Sequence, residues 1–167
     1  MQLLYTRCAG LDVHARQVVA CARLVTDHTV TYHHVTVSTT TRGLLALVDW
    51  LNDHAVTHVA MEATGVYWKP VWHLLEGLFA LTLANAQHVR HVPGRKSDVK
   101  DAQWLADLLA VGLIRSSFVP PAPIQALREL TRTRKQLPRE IGRHTPRLQK
   151  VLEDANVPLT ETISGIL

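Results

Sequence analysis

The sequence predicts an α/β domain, built on a mixed sheet flanked by helices, and a helical, partly coiled-coil-like extension after it. Three strand-like segments follow one another at the start of the chain, and helices and strands then alternate. Parallel neighbouring strands need a crossover connection, so the alternating part requires helices on the faces of the sheet. A proline-rich spacer at 120–123 precedes a heptad pattern. We therefore expect two domains, 1–119 and 120–167.

The first domain is predicted element by element from the period of its apolar residues. Strands are expected over 3–13, 16–25 and 30–37, the last of which alternates with period two. The remaining elements follow in order: a helix over 41–52, a strand over 56–63, a helix over 67–78, a strand over 79–85, a loop over 86–97 and a helix over 98–112.

The extension carries a seven-residue repeat. From Leu127 to Ala155, seven of nine seam positions are apolar, which is typical of a coiled coil. Pro138 and Pro146 oppose this reading, because each proline removes a backbone donor and costs about 3 kcal/mol inside a helix. We expect the helix to break or kink at both, so three short helices compete with one long one. A homodimer formed through this helix would be weakened by the same prolines.

Composition excludes several classes of protein. Of the 167 residues, 47% are hydrophobic and 19% are charged, which is typical of a folded globular chain rather than a disordered one. No apolar run reaches the roughly 20 residues of a membrane span, and no secretory signal precedes the first strand, so we expect a cytoplasmic protein without a membrane partner. Two cysteines are too few for a disulfide framework or a cysteine-based zinc site, and we interpret both as buried thiols.

Basic residues concentrate in the second half of the chain. Residues 87–167 carry a net charge of +5, whereas 1–86 carry −1. A cluster that contains only two acids between residues 128 and 150 is a candidate phosphate-contacting surface, although a solvated helix face would show the same pattern. This cluster comprises Arg128, Arg132, Arg134, Lys135, Arg139, Arg143, Arg147 and Lys150. Arg90, Arg95 and Lys96, in the loop before the acidic helix, are further candidates for holding a phosphate.

Four carboxylates are placed where they could converge. Asp12 ends the first strand and Glu62 ends the fourth, and strand ends are where an open α/β sheet presents functional groups. Asp98 and Asp101 are three residues apart and share one face at a helix start. Such oxygen donors suit a pair of Mg²⁺ ions that would clamp a phosphodiester. Each acid also has a simple structural explanation, as a turn, strand-end or helix first-turn residue, so the prediction depends on the arrangement.

The segments GLDVHAR, MEATGVYW and GRKSDVKDAQWLADLL resemble the N-terminal domain of the DEDD-motif transposases of insertion sequences. These enzymes are relatives of the Piv-type DNA invertases and are described as bridge-RNA-guided recombinases. The similarity covers roughly residues 6–115. It implies a RuvC-like, ribonuclease-H-type fold in which Asp12, Glu62, Asp98 and Asp101 bind Mg²⁺, with Mn²⁺ as a possible substitute. It further implies DNA cleavage and strand exchange guided by a structured noncoding RNA, in a bacterial or archaeal cytoplasm at the nucleoid.

The resemblance also implies a second catalytic domain with a nucleophilic serine, and we expect these 167 residues to stop before it. The chain alone is therefore not expected to complete recombination. Two alternatives remain open: an autonomous RuvC-like endonuclease that uses the same acids, and a catalytically silent nucleic-acid-binding module. Cleavage by the chain alone favours the first, and binding that survives loss of the acids without cleavage favours the second.

Histidines and aromatic residues give weaker signals. His54 and His58 have a metal-like spacing, but they straddle a helix end and a strand start and are not expected to share a face. Tyr67, Trp68 and Trp72 could stack on bases, whereas the i, i+4 spacing of the two tryptophans favours a core stripe.

Overall fold

The computed structural model describes residues 3–27, 29–62, 65–92 and 101–157. The chain divides into two compact units, Met1–Val119 and Pro120–Leu167. The elements in chain order are β1 (Arg7–Val13), β2 (Gln17–Thr26), β3 (Thr29–Ser38), α1 (Thr41–Asp53), β4 (His58–Glu62), α2 (Trp68–Leu75), β5 (Ala80–Ala84), α3 (Ala86–His91), α4 (Asp101–Ala110) and α5 (Ala122–Asp154). Within the described residues, none of the helices has the length and apolarity that a membrane span requires.

A five-stranded mixed sheet organises the first unit. The strand order is β3-β2-β1-β4-β5, with β1 to β3 antiparallel and with β4 and β5 parallel to β1. Short turns join the first three strands, whereas α1 and α2 provide the crossovers to β4 and β5, as parallel pairing requires. The predicted fold class, a mixed sheet flanked by helices with a helical extension, is confirmed.

The two faces of the sheet are covered by different helices. On one face, α1 and α2 form the main hydrophobic core with the odd-numbered residues of β1, such as Leu11 and Val13. Leucines at helical spacing turn toward this core from α1, and the Thr40 hydroxyl caps that helix by accepting from the Gly43 amide. The other face packs against α4, which contributes Leu109 and Ala110 to a cluster with Cys8.

The prediction of a loop over 86–97 is wrong for its first six residues, because Ala86–His91 form a short helix, α3. Asn85 starts this helix by accepting hydrogen bonds from the amides of Gln87 and His88. Val89 holds it in place by packing with Leu105 of α4 and its neighbours. Six residues are too few to show a helical period, so the polar composition was misleading. Residues 93–97 lie outside the described residues.

The predicted break at the two prolines is also wrong, since α5 is one helix of 33 residues that contains both Pro138 and Pro146. Each proline frees one carbonyl four residues earlier, that of Arg134 or Gly142. Both of these residues are exposed, so water can hydrate the freed carbonyls. The free-energy cost of each proline is therefore too small to end this long helix.

Candidate metal and nucleic-acid site

Alternation along β1 places Asp12 on the face that α4 covers. The Cys8 thiol on this face lies 3.5 Å from the Ala106 carbonyl oxygen. Gly10 packs so closely that an added Cβ would lie 2.1 Å from the Ala102 carbonyl oxygen and 2.6 Å from the Ala106 amide nitrogen. Because successive side chains of a strand alternate between faces, Asp12 projects from the same face as Cys8 and Gly10. Its side chain is 23% exposed.

Contacts along β1 determine the direction of α4. The amides of Leu4 and Tyr5 donate to the Ala110 carbonyl, at 2.8 and 3.3 Å, before β1 begins. Farther along, Cys8 contacts Ala106 and Gly10 contacts Ala102. The helix therefore runs antiparallel to β1, and its first turn, which begins at Asp101, lies at the carboxyl end of β1, where Asp12 is found.

Glu62 lies at the same edge of the sheet. The parallel register pairs Leu11 with Met61, so Asp12 and Glu62 are one step farther along neighbouring strands. Ala60, two residues before Glu62, packs in the cluster with α4 residues, which places the Glu62 side chain on the α4 face as well. One Glu62 carboxylate oxygen, Oε1, is buried. Asp12 and Glu62 thus project from one face at this edge, and Asp101 begins the helix that covers that face.

The chemistry of these acids suits a divalent cation. Carboxylate oxygens are hard ligands of the kind that Mg²⁺ binds. Across the described ranges, no three side chains of histidine, cysteine, aspartate or glutamate form a group that could hold a metal ion. Asp98, the fourth predicted acid, lies outside those ranges. The metal role of the four acids remains a prediction.

His14 is a partner of Asp12 that sequence reasoning missed. Its Nε2 lies 3.0 Å from Asp12 Oδ2, and its side chain is 53% exposed. The β1–β2 turn positions it, through a 2.9 Å hydrogen bond from the His14 amide to the Gln17 carbonyl. Proximity to Asp12 in sequence was the only available signal. The contact orients one oxygen of Asp12 at the edge where the acids lie.

A polar cluster anchors α4 on the sheet. Arg23 Nε of β2 lies 3.0 Å from Asp107 Oδ1 of α4, and the Tyr32 hydroxyl of β3 donates to the same oxygen at 2.7 Å. Burial, and then the hydrogen bond to Asp107, raise the pKa of Tyr32. Burial also raises the pKa of the neighbouring Cys8 thiol to about 11, against a smaller opposing effect of Arg23. Cys8 is therefore a protonated packing residue at neutral pH.

The predicted phosphate-contacting residues belong to different parts of the chain. Arg90 lies in α3, whereas Arg95 and Lys96 lie outside the described residues. All eight basic residues of the cluster between 128 and 150 lie on α5 and are exposed. A groove of about 390 Å³ on α5 is lined by Arg132, Lys135, Arg139 and Arg143 together with Gln136 and Glu140. Their binding role stays a prediction.

The histidines considered as metal ligands and the tryptophans considered for base stacking pack against other aromatic side chains. His54 caps the C-terminal end of α1 and stacks at a tilt against Trp50, whereas His58 begins β4 and stacks on Tyr5. Trp68 and Trp72 meet edge to face, with ring centroids 6.0 Å apart; Trp72 belongs to the main core, and the partly buried Trp68 packs against it. The tryptophans are thus core residues.

Comparison with known proteins gives one family. A model of DEDD transposases of the IS110 type, described as a transposase, matches residues 9–157. Among solved structures, Thermus thermophilus RuvC in complex with a Holliday junction substrate is similar, with a TM-score of 0.45 and 12% identity over 68% of this chain and 100% of that one. Another Thermus thermophilus RuvC structure has a TM-score of 0.40 and 14% identity, covering 70% and 85% of the two chains. No curated protein matches.

Proposed function

This chain belongs to the IS110 family of DEDD transposases, and we propose that its first unit binds divalent metal at the carboxyl edge of the sheet and acts there in DNA cleavage. The placement of Asp12 and Glu62 carries the proposal. They follow the paired residues Leu11 and Met61 on one face of the sheet, beside the N-terminal end of α4. Asp101 begins α4, and Asp98 completes the tetrad that the family motif implies.

The four acids form a set of oxygen donors without a thiolate or an imidazole, which suits Mg²⁺ and also Mn²⁺. A metal pair bound there would stabilise the charge that develops on the attacking and leaving oxygens of a phosphodiester. The task of the protein is to hold the acids in place. Packing of Gly10 against α4 holds Asp101 near the edge, and His14 orients Asp12.

Metal-dependent stabilisation tests the proposal directly. Like charges at one edge repel, so Mg²⁺ or Mn²⁺ should bind the folded chain and raise its melting temperature by several degrees at saturation. Asp12→Asn should lose most of that response. Asp53→Asn is the matched control, because Asp53 ends α1 next to His54, whose carbonyl accepts from Arg7 at the opposite edge of the sheet. A full response in Asp12→Asn would contradict the proposal.

We also propose that the activity is strand exchange on DNA guided by a structured noncoding RNA, as the family motif implies. The family motif also implies that a serine of a further domain is the covalent nucleophile, with the acids supplying charge stabilisation. Incubation of the chain with Mg²⁺, supercoiled DNA and candidate RNAs tests this. RNA-independent nicking that disappears in Glu62→Gln would favour the autonomous nuclease instead, and binding without any dependence on the acids would favour the silent module.

The faces of α5 support separate contacts with nucleic acid and with a second subunit. With Leu127 taken as position a of the heptad, six of the eight basic residues occupy positions b, c or f, opposite the apolar seam. These six are Arg128, Arg132, Lys135, Arg139, Arg143 and Lys150. We propose that this outer face contacts the phosphates of DNA or guide RNA.

The apolar seam of α5 supports a homodimer. Its large side chains are between 54% and 70% exposed, namely Leu127, Leu130, Leu137, Ile141, Leu148 and Val151. In the same heptad, Pro138 falls at position e and Pro146 at position f, so neither lies on the seam itself. We propose that the seam of a second copy covers these side chains, because burying them removes apolar surface from water.

Oligomeric state tests the dimer. Ile141→Glu places a charge on the seam and should shift light scattering toward the monomer mass, whereas Gln136→Glu adds the same side chain at position c and should leave the mass unchanged. A wild-type chain that stays monomeric at high micromolar concentration would overturn the dimer and leave the metal site untouched.

A further inference from the structure

A cavity of about 250 Å³ opens at the carboxyl edge of the sheet, on the face that α1 and α2 cover. Its floor consists of Leu44 and Val71, which are 5% and 1% exposed and belong to the main core. Val66 and Tyr67, which are 62% and 48% exposed, form part of its wall. An apolar floor with an aromatic side chain at the mouth is a surface on which a flat ring can stack.

The cavity is tied to the acidic edge through His14. This residue lines the cavity and at the same time lies 3.0 Å from Asp12. Two hydrogen bonds join the wall segments around it: the Thr39 hydroxyl donates to the Ala15 carbonyl at 2.9 Å, and the Thr39 amide donates to the Arg16 carbonyl at 3.2 Å. His14 therefore connects the cavity with the candidate metal site at the carboxyl edge of the sheet.

Charge around the cavity suits a polyanion. None of the lining residues that the structure describes is acidic. Arg16 follows the lining residue Ala15, and Arg42 lies in the first turn of α1, close to the lining residue Thr39, and both arginines are exposed. These cations are placed to accompany a phosphodiester backbone that continues from the acidic edge.

We propose that the cavity receives an unpaired nucleobase of the DNA strand held at the acidic edge, stacked on Tyr67. This role rests on the DNA cleavage proposed above. A base inside a duplex cannot reach such a recess without leaving the stack, so the cavity selects a strand that is single or locally opened. The Thr39 hydroxyl already donates to the backbone, and His14 already contacts Asp12. Few polar groups therefore remain to form hydrogen bonds with the edge of a base, so the site accepts different bases.

A local reporter is needed because α5 offers phosphate contacts of its own. We would bind the full chain, in EDTA, to single-stranded oligonucleotides that carry 2-aminopurine, whose fluorescence falls when it stacks on an aromatic ring. The wild type should quench the probe. Tyr67→Ala should abolish the quenching and weaken single-strand affinity about tenfold, whereas Tyr67→Phe should retain both.

Two controls distinguish the cavity from general binding. Phe118→Ala removes an aromatic side chain that is 82% exposed and does not line the cavity, so it should leave quenching intact. Thr133→Ala, at an exposed position of α5, should also retain quenching. Equal quenching by Tyr67→Ala and wild type would overturn the base site, even if Mg²⁺-dependent cleavage is observed. Quenching that depends on Tyr67 without any cleavage would support the base site and count against the proposed function.

Discussion

Gly10 determines how closely α4 can approach the sheet at the candidate site. Its missing side chain lets β1 contact the backbone of Ala102 and Ala106 directly. We predict that Gly10→Ala lowers the free energy of unfolding by about 3 kcal/mol, because the new methyl group would overlap backbone atoms that cannot move aside. It should also weaken stabilisation by Mg²⁺, since α4 carries Asp101.

Urea unfolding of matched variants checks this prediction. Gly142→Ala is the control, because an added Cβ there, on the exposed surface of α5, would meet no atom within 4 Å apart from its chain neighbours and the backbone of its own helix. That change should be neutral or stabilise the helix by up to about 1 kcal/mol. A Gly10→Ala chain as stable as the wild type would show that the packing between β1 and α4 is looser than the structure has it.

The Cys8 thiol makes stability depend on alkaline pH. Its pKa rises from 9.0 to about 11 on folding, so the unfolded chain loses the proton first as pH rises. The stabilisation is present below pH 9 and is lost as pH rises through 11, by about 2–3 kcal/mol in total. We predict that Cys8→Ala flattens this decline. Unfolding free energies measured at several pH values between 8 and 11 provide the comparison, and identical slopes would contradict the prediction.

At the scale of single elements, α5 combines a strong heptad with two internal prolines. We predict that Pro138→Ala and Pro146→Ala each stabilise the helix, by up to about 3 kcal/mol, because they restore hydrogen bonds to the carbonyls of Arg134 and Gly142. Circular dichroism during thermal unfolding measures the effect. Thr133→Ala, at another exposed position of α5, should change stability by less than about 0.7 kcal/mol. Equal responses of all three variants would contradict a proline-specific cost.

The elements also show where prediction from sequence succeeds. Period-two alternation and apolar runs located the five strands, and helical spacing located α1 and α2, because these patterns are local. The same reasoning failed for α3, which is too short to show a helical period. It also failed at the prolines of α5, because the free-energy cost of one proline is local and the rest of a 33-residue helix persists.

At the scale of the whole molecule, the candidate acids and the basic cluster between residues 128 and 150 belong to different compact units. The candidate acids lie in Met1–Val119, and the basic cluster lies in Pro120–Leu167. We predict that duplex DNA binding is dominated by phosphate contacts of α5 and weakens steeply with salt, because each neutralised phosphate releases counterions. Replacement of Arg132, Arg139 and Arg143 by alanine should reduce the slope of log affinity against log salt by about 2 to 3.

Fluorescence anisotropy across a salt series measures that slope. Gln136→Ala is the matched control, since Gln136 lines the same groove without carrying charge. An unchanged slope in the triple variant would show that phosphate binding resides elsewhere, and a salt-independent affinity would exclude phosphate contacts as its main source.

The amino-acid sequence by itself determined the mixed α/β fold class, the family motifs around Asp12 and Glu62, and the heptad of α5. Each of these depends on residues that lie close together in the sequence. Tertiary structure alone decided that α4 runs antiparallel to β1, that His14 contacts Asp12, and that a cavity forms beside them. The physical reason is sequence separation. Gly10 meets Ala102 only after the intervening strands and helices have folded, and such contacts depend on packing that no local period encodes.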